Sequence, residues 1–223
     1  MGLIVIEGLD GSGKTTQINK LNEYLLSCGR NCRLLHFPRT EGIYGELIAR
    51  FLRGELGAIE QVNPYLVAMM YAGDRLDFKT ELEHRLREND VILLDRYVYS
   101  NVAYQCAKIE DKKESRVLRE WILRLEFEYH GLPKPDLNIF LDVPFEFTRQ
   151  LLAGNRTGNE RQYLNGKIDI HEADLDFQKR VRESYLSLSD EDCFAKIDCG
   201  DHTTMLPVDQ IFAKILNALN KRI

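Results

Sequence analysis

Eight consecutive residues, Gly8-Leu9-Asp10-Gly11-Ser12-Gly13-Lys14-Thr15, carry the spacing GxxxxGK[ST], which suits one kind of chemistry. Glycines let backbone N–H groups turn inward around a phosphate, and a following helix N-terminus adds its positive dipole end. Lys14 is then placed to bridge two phosphates, and the Thr15 hydroxyl to ligate Mg2+. The expectation is a nucleoside triphosphate site, against the plainer alternative of a glycine-rich turn that happens to contain a lysine.

Such a loop binds a donor without naming the reaction, since motors, switches and kinases share it. Asp95-Arg96 follows the apolar run Val91-Ile-Leu-Leu94, which puts both residues at the carboxyl end of a strand, the edge where open α/β sheets bind ligands. A motor ATPase would follow that acid with a second acid to polarise water, whereas Arg96 suits an anionic acceptor; a strand-end ion pair without a ligand is the alternative. Phe37-Pro38-Arg39 brings a second guanidinium to the same edge, so that Lys14, Arg39 and Arg96 surround a place where two phosphates approach each other. A nucleoside kinase wants a carboxylate after its second strand to deprotonate a hydroxyl, while a monophosphate is already ionised and wants a cation. Arg39 therefore favours a monophosphate acceptor, although a single Arg in a loop is more often a solvated side chain.

Tyr71 and Arg75 lie four apart on one helix face, offering an aromatic surface and a donor for a flat base carbonyl. The competing reading is a core tyrosine beside an Arg paired with Asp74 or Asp77. Ser100, Asn101, Tyr104 and Gln105 form a polar-aromatic cluster after Asp95-Arg96 that suits a nucleoside or, equally, a helix flank.

These residues need a frame at their strand ends. Apolar runs at Leu3–Ile6, Arg33–Phe37, Val91–Leu94, Leu137–Leu141 and Phe194–Ile197 each precede a segment of helical periodicity, the alternation of a parallel α/β sheet. In the first helix Ile18, Leu21, Leu25 and Cys28 share one face, and Gly29 supplies a stop. Asp169 with Glu172 three residues on reads as a capping box opening a helix through Leu175, Val181 and Tyr185. The glycine-punctuated stretch Ala153 to Lys167, with Arg156 and Arg161, reads as a mobile lid (about 153–168) on a single domain spanning 1–223. The charge run Lys108 to Glu114 reads as a solvated loop or helix start and is assigned no function.

Composition limits the partners. With 223 residues and 30 Lys+Arg against 35 Asp+Glu, the net charge is 30 − 35 = −5, which disfavours nonspecific nucleic-acid binding. No stretch approaches the roughly 20 apolar residues of a membrane span. The amino terminus reaches Glu7 without a basic n-region, so no secretory signal is expected and a cytoplasmic location follows. Five scattered cysteines and five histidines show no disulfide framework and no transition-metal spacing, so reduced, mostly buried thiols are expected.

Taken together the motifs resemble the thymidylate kinase (dTMP kinase) family of the nucleoside monophosphate kinase superfamily. The resemblance rests on Ile4-Val-Ile-Glu-Gly-Leu-Asp-Gly-Ser-Gly-Lys-Thr-Thr16, Phe37-Pro-Arg39, Gly73-Asp-Arg75, Asp95-Arg-Tyr-Val-Tyr-Ser-Asn-Val-Ala-Tyr104, Gly131-Leu-Pro-Lys-Pro-Asp-Leu137 and Asp169-Ile-His-Glu172. It implies a three-layer P-loop NTPase fold with a five-stranded parallel sheet of order 2-3-1-4-5, a homodimer, and Mg-ATP phosphorylating dTMP to dTDP. ATP would meet Gly8, Asp10, Gly11, Ser12, Gly13, Lys14, Thr15 and Thr16, with Mg2+ at Thr15 and, through water, Asp95. dTMP would meet Phe37, Ser100 and Gln105; Arg39 and Arg96 would hold its phosphate, and Asp10 would approach its 3′-hydroxyl. Tyr71 would stack on thymine, Arg75 donate to a carbonyl, Asn101 meet the pyrimidine edge and Tyr104 lie against C2′. The resemblance also implies a cis Phe37–Pro38 bond. Gly11-Ser12 is neutral where some members carry a basic residue, so the resemblance assigns the catalytic arginine to Arg156 or Arg161. Residues 108–129 depart from the family pattern and say nothing about substrate. Two other readings stay open: a related kinase with a different deoxynucleotide or nucleoside acceptor, and a regulatory module that binds ATP without transferring phosphate.

Overall fold

A computed structural model describes residues 2–153, 164, 166, 169–188, 193–201 and 204–221, the side chains of 150–153 excepted. All five strands anticipated from the sequence are present: β1 (Gly2–Gly8), β2 (Cys32–His36), β3 (Val91–Asp95), β4 (Leu137–Asp142) and β5 (Phe194–Asp198). They pair in parallel in the order β2-β3-β1-β4-β5, as the resemblance implies. With every strand parallel, the carboxyl ends of β1, β2 and β3 meet at one edge, where Gly8, Phe37 and Arg96 begin their loops.

Strand alternation assigns the layers. In β1, Ile4 and Ile6 pack with Ile18, Leu21 and Leu25 of α1 (Lys14–Ser27) and with Ile211 and Ile215 of α10 (Val208–Asn220). Leu3 and Val5 face the other way, with Leu82 of α4 (Lys79–Glu88) and Val98 of α5 (Val98–Cys106). Period-two alternation carries Glu7 onto that second face, where it is fully buried. α6 (Lys112–Leu123) and α9 (Leu175–Leu186) flank α5 on the same side, with Leu118, Ile122, Val181 and Tyr185 in one apolar cluster.

Three expectations need correction. Asp169 caps only the short α8 (Ile170–Ala173), accepting from His171 N, because the chain turns at Asp174; the Asp174 side chain then accepts from Phe177 N and starts α9 separately. Cys28 is exposed at the C-cap of α1 instead of lying on its buried face, and of the five thiols only Cys106 and Cys199 are buried. The charge run does start a helix, with Asp111 capping α6, but the Lys108 amine at its head is buried. The proposed lid arginines Arg156 and Arg161 lie outside the described residues.

Candidate active site

The loop between β1 and α1 is bent by Gly13, whose φ of 80° lies in the left-handed region that side chains disfavour. α1 therefore begins at Lys14 with its first N–H groups aimed into the loop. The Lys14 ammonium donates to the carbonyls of Gly8 and Leu9 at 3.3 and 3.0 Å and is buried. Burial, followed by the Arg96 charge, lowers its pKa, against the opposing pull of Asp95, Asp10 and Glu7.

Beside the loop runs a cavity of about 670 Å3, whose lining includes Asp10, Thr15, Phe37, Arg39, Tyr71 and Arg75. Asp95, Arg96, Ser100, Asn101, Tyr104 and Gln105 line the same space. The structure thus brings together all ten residues that the resemblance assigns to dTMP, together with both residues assigned to Mg2+.

At one end, Arg96 adopts φ 66°, a left-handed conformation costing a non-glycine residue ~1–2 kcal/mol. Its surroundings hold it there. The backbone N–H donates to Ile6 O at 3.1 Å, and the guanidinium donates to Asp10 at 2.8 Å, Tyr104 OH at 3.1 Å and Ser100 Oγ at 3.3 Å. The Tyr104 hydroxyl in turn donates to Asp10 at 3.0 Å, and the guanidinium lies over the Tyr104 ring. Burial opposes the Arg96 charge, but Tyr104, Asp10, Tyr185 and Asp95 hold its pKa well above the ordinary value. Under this cluster sits Glu7, accepting from Tyr97 N, Ser100 Oγ and Tyr185 OH. Burial raises the Glu7 pKa despite those donors and Arg96.

Arg39 reaches the same end from the loop after β2, following a Phe37–Pro38 bond that is cis. Its Nε donates to Asp74 at 2.8 Å and its Nη2 to Asp77 at 2.5 Å, both on α3 (Pro64–Asp77). The sequence allowed Asp74 or Asp77 as partners for Arg75; they pair with Arg39 instead. Arg75 turns inward to Glu126, on a π-helical turn (Arg124–Tyr129) that continues α6, with contacts of 2.5 and 2.7 Å and both side chains nearly inaccessible. On its other side α3 packs tightly on α2 (Gly42–Leu52) at Gly73, where a Cβ would sit 2.2 Å from the Tyr44 ring.

Asp95 closes the site. Burial would raise its pKa, but His36, Lys14 and Arg96 keep it below the usual carboxylate range. Its Oδ1 is buried with no hydrogen-bond partner, and Thr15 lines the same cavity. A charged, unpaired hard oxygen beside a hydroxyl suits Mg2+, which prefers oxygen ligands and retains water.

Sequence reasoning missed Glu7, Glu126 and Tyr185. For the two acids a signal was present. Glu7 interrupts an apolar strand, and Glu126 lies at i+8 from Leu118 and i+4 from Ile122, a core position of the α6 stripe.

The thymidylate kinase family model matches residues 6–205. A thymidylate kinase of Mycobacterium tuberculosis is 35% identical over 189 residues, 84% of this chain and 85% of the relative. A probable thymidylate kinase of Staphylothermus marinus is 35% identical over 198 residues, 88% of this chain and 86% of the relative. The solved thymidylate kinase of Candida albicans shares the fold with a TM-score of 0.72 at 24% identity, covering 99% of this chain and 91% of that one. By its sequence across nearly its whole length, the chain belongs to the thymidylate kinase family, P-loop enzymes that transfer a phosphoryl group from ATP to dTMP.

Proposed function

We propose that the cavity takes dTMP with its phosphate at the Arg39–Arg96 end and its base at the Arg75–Asn101 end, facing ATP in the β1–α1 loop. The observation that carries this reading is the convergence of Lys14, Arg39 and Arg96 on one sheet edge with a partly aromatic pocket floor behind them, where the one arginine, Arg75, is paired with Glu126. Two phosphates repel as they approach, and three cations offset that repulsion without taking a proton.

The transfer is in-line, with no covalent intermediate and no general base, because the acceptor oxygen arrives ionised. Backbone N–H groups of Gly11, Gly13 and Thr16 cradle the donor, and Lys14 swings from the Gly8 and Leu9 carbonyls to its phosphates. Mg2+ would be held by Thr15 and, through water, Asp95, and when bound it supplies charge neutralisation between the donor phosphates. Asp10, tied to Arg96 and Tyr104, would meet the sugar's 3′-hydroxyl, and Tyr104 would lie against C2′. Tyr71 and Phe37 flank the base, Arg75 donates to its carbonyl, Asn101 meets its N3–H edge, and Ser100 and Gln105 complete the wall. The finger arginine is Arg156 or Arg161, on a lid within one kinase domain over 1–223.

A homodimer and a cytoplasmic location complete the reading. Leu66, Met69 and Leu76 are exposed on one face of α3, with Val117 exposed on α6, which suits a second copy. Five cysteines with no disulfide among them suit a reducing compartment, and no helix among the described residues is long and apolar enough to cross a membrane.

The test is ADP release with Mg2+ on dTMP, dUMP, dCMP, dGMP, UMP and thymidine. Strong turnover on dTMP supports the reading; turnover confined to thymidine or to a purine refutes the base assignment. Replacing the finger arginine with Ala should lower kcat about 10³-fold, and if Arg156→Ala and Arg161→Ala both stay within a few-fold, the lid assignment is wrong.

A further inference from the structure

Glu126 occupies a position that the helical stripe reserves for an apolar residue. Leu118, Ile122 and Glu126 are spaced by four, and all three are inaccessible to solvent. The carboxylate accepts from Arg75 Nε and Nη2, and from Asn101 Nδ2 at 2.9 Å. The Asn101 amide nitrogen also donates to the Ala68 carbonyl at 3.0 Å. Both oxygens can only accept, so the amide is held with its nitrogen toward them and its Oδ1 away. That Oδ1 is buried without a partner, in a residue that lines the cavity. Arg75 gives two of its five N–H donors to Glu126 and also lines the cavity.

With its nitrogen taken, Asn101 has only the acceptor Oδ1 left for a group entering the cavity, while Arg75 keeps N–H donors for a neighbouring one. A pyrimidine with a carbonyl at C4 and a proton on N3 matches that order. One with an amino group at C4 and a bare N3 presents the reverse order and leaves two groups facing their own kind.

We propose that Glu126 is the positioning residue that sets the polarity of base recognition, holding Arg75 as donor and Asn101 as acceptor and so selecting a 4-oxo over a 4-amino pyrimidine. This rests on the assignment of Arg75 and Asn101 to the base end made above. An uncharged amide at 126 both donates and accepts, so it no longer dictates which way Asn101 faces. The Ala68 carbonyl still favours the same orientation with one hydrogen bond in place of two, so discrimination should weaken without inverting.

The experiment compares kcat and KM for dTMP and dCMP in the wild-type enzyme, Glu126→Gln, Glu126→Asp and Asn101→Ala, with thermal unfolding of each. In Glu126→Gln the ratio of dTMP to dCMP kcat/KM should fall at least about tenfold, with the loss in dTMP carried by KM and not kcat. Glu126→Asp keeps the charge but withdraws the oxygen from Asn101; its ratio should fall by less, and it decides the matter on that ratio should Glu126→Gln not fold. An unchanged ratio in a folded position-126 variant, with a lowered ratio in Asn101→Ala, overturns the proposal and leaves Glu126 as a counter-ion only. An unchanged ratio in Asn101→Ala as well overturns the base-end assignment itself.

Discussion

At the phosphate end of the cavity, Arg39 is 25% exposed and shared between the buried Asp74 and Asp77, which is 58% exposed, while Arg96 pairs with Asp10, which is 27% exposed. At the base end, Arg75 and Glu126 close on each other at 2% and 0% exposure. The difference separates two uses of charge. A partly solvated guanidinium with spare N–H groups can exchange a carboxylate for an incoming phosphate at modest cost. A fully desolvated pair cannot be opened so cheaply, and serves as a rigid mount whose remaining polar atoms read hydrogen bonds. One end should govern how tightly and how fast any monophosphate reacts; the other should govern which base is admitted.

The largest expected effect breaks the phosphate end. Arg96→Ala should lower kcat/KM about 10³-fold, and by the same factor for dTMP and dUMP, as steady-state kinetics will show. Next, Arg75→Met leaves the Glu126 charge buried without a counter-ion, held only by Asn101, and should cost about 3–5 kcal/mol in urea unfolding. Arg75→Met combined with Glu126→Met should recover most of that loss while dTMP affinity stays poor, separating mount from reader.

Lys108 sharpens the comparison as a buried charge without a mount. Its ammonium lies over the Phe51 ring with no hydrogen-bond partner, and burial pushes its pKa down to about 7. The unfolded chain then holds this proton up to its ordinary pKa near 10.5 while the folded chain releases it near 7, so the residue's contribution to stability rises as pH increases across that interval. Lys108→Met should stabilise the protein by about 1–3 kcal/mol at pH 6.5, and the gain should shrink by pH 9. A gain independent of pH would contradict the burial of a charge. The smallest effect belongs to Tyr185→Phe, which keeps the stack on Phe140 but removes the hydroxyl shared by Glu7 and Ser100; about 1 kcal/mol should be lost in thermal unfolding.

The phosphate end was legible in the sequence because its residues are local to strand ends. Gly8 to Thr15, Arg39 and Asp95-Arg96 each follow an apolar run, and parallel topology alone brings those ends together. The base end was half legible. Helical spacing put Tyr71 and Arg75 on one face, but nothing local told that Arg75 would pass over Asp74 and Asp77, its neighbours in sequence, for an acid 51 residues away. That partner lay in residues 108–129, read as saying nothing about substrate because the stretch departs from the family pattern. The stripe from Leu118 through Ile122 to Glu126 contained the contrary signal, and the same holds for Glu7 in the apolar run of β1. The break at Asp174 was missed because one cap was read as serving one long helix, whereas Asp169 and Asp174 each start their own.

The two ends of the cavity should act independently. Titration calorimetry of dTMP and dCMP into wild-type, Arg96→Ala and Asn101→Ala enzymes tests it most directly. Arg96→Ala should weaken both nucleotides by a common factor and keep their ratio, while Asn101→Ala should lower that ratio by about tenfold or more. A ratio that moves equally in the two variants would contradict it.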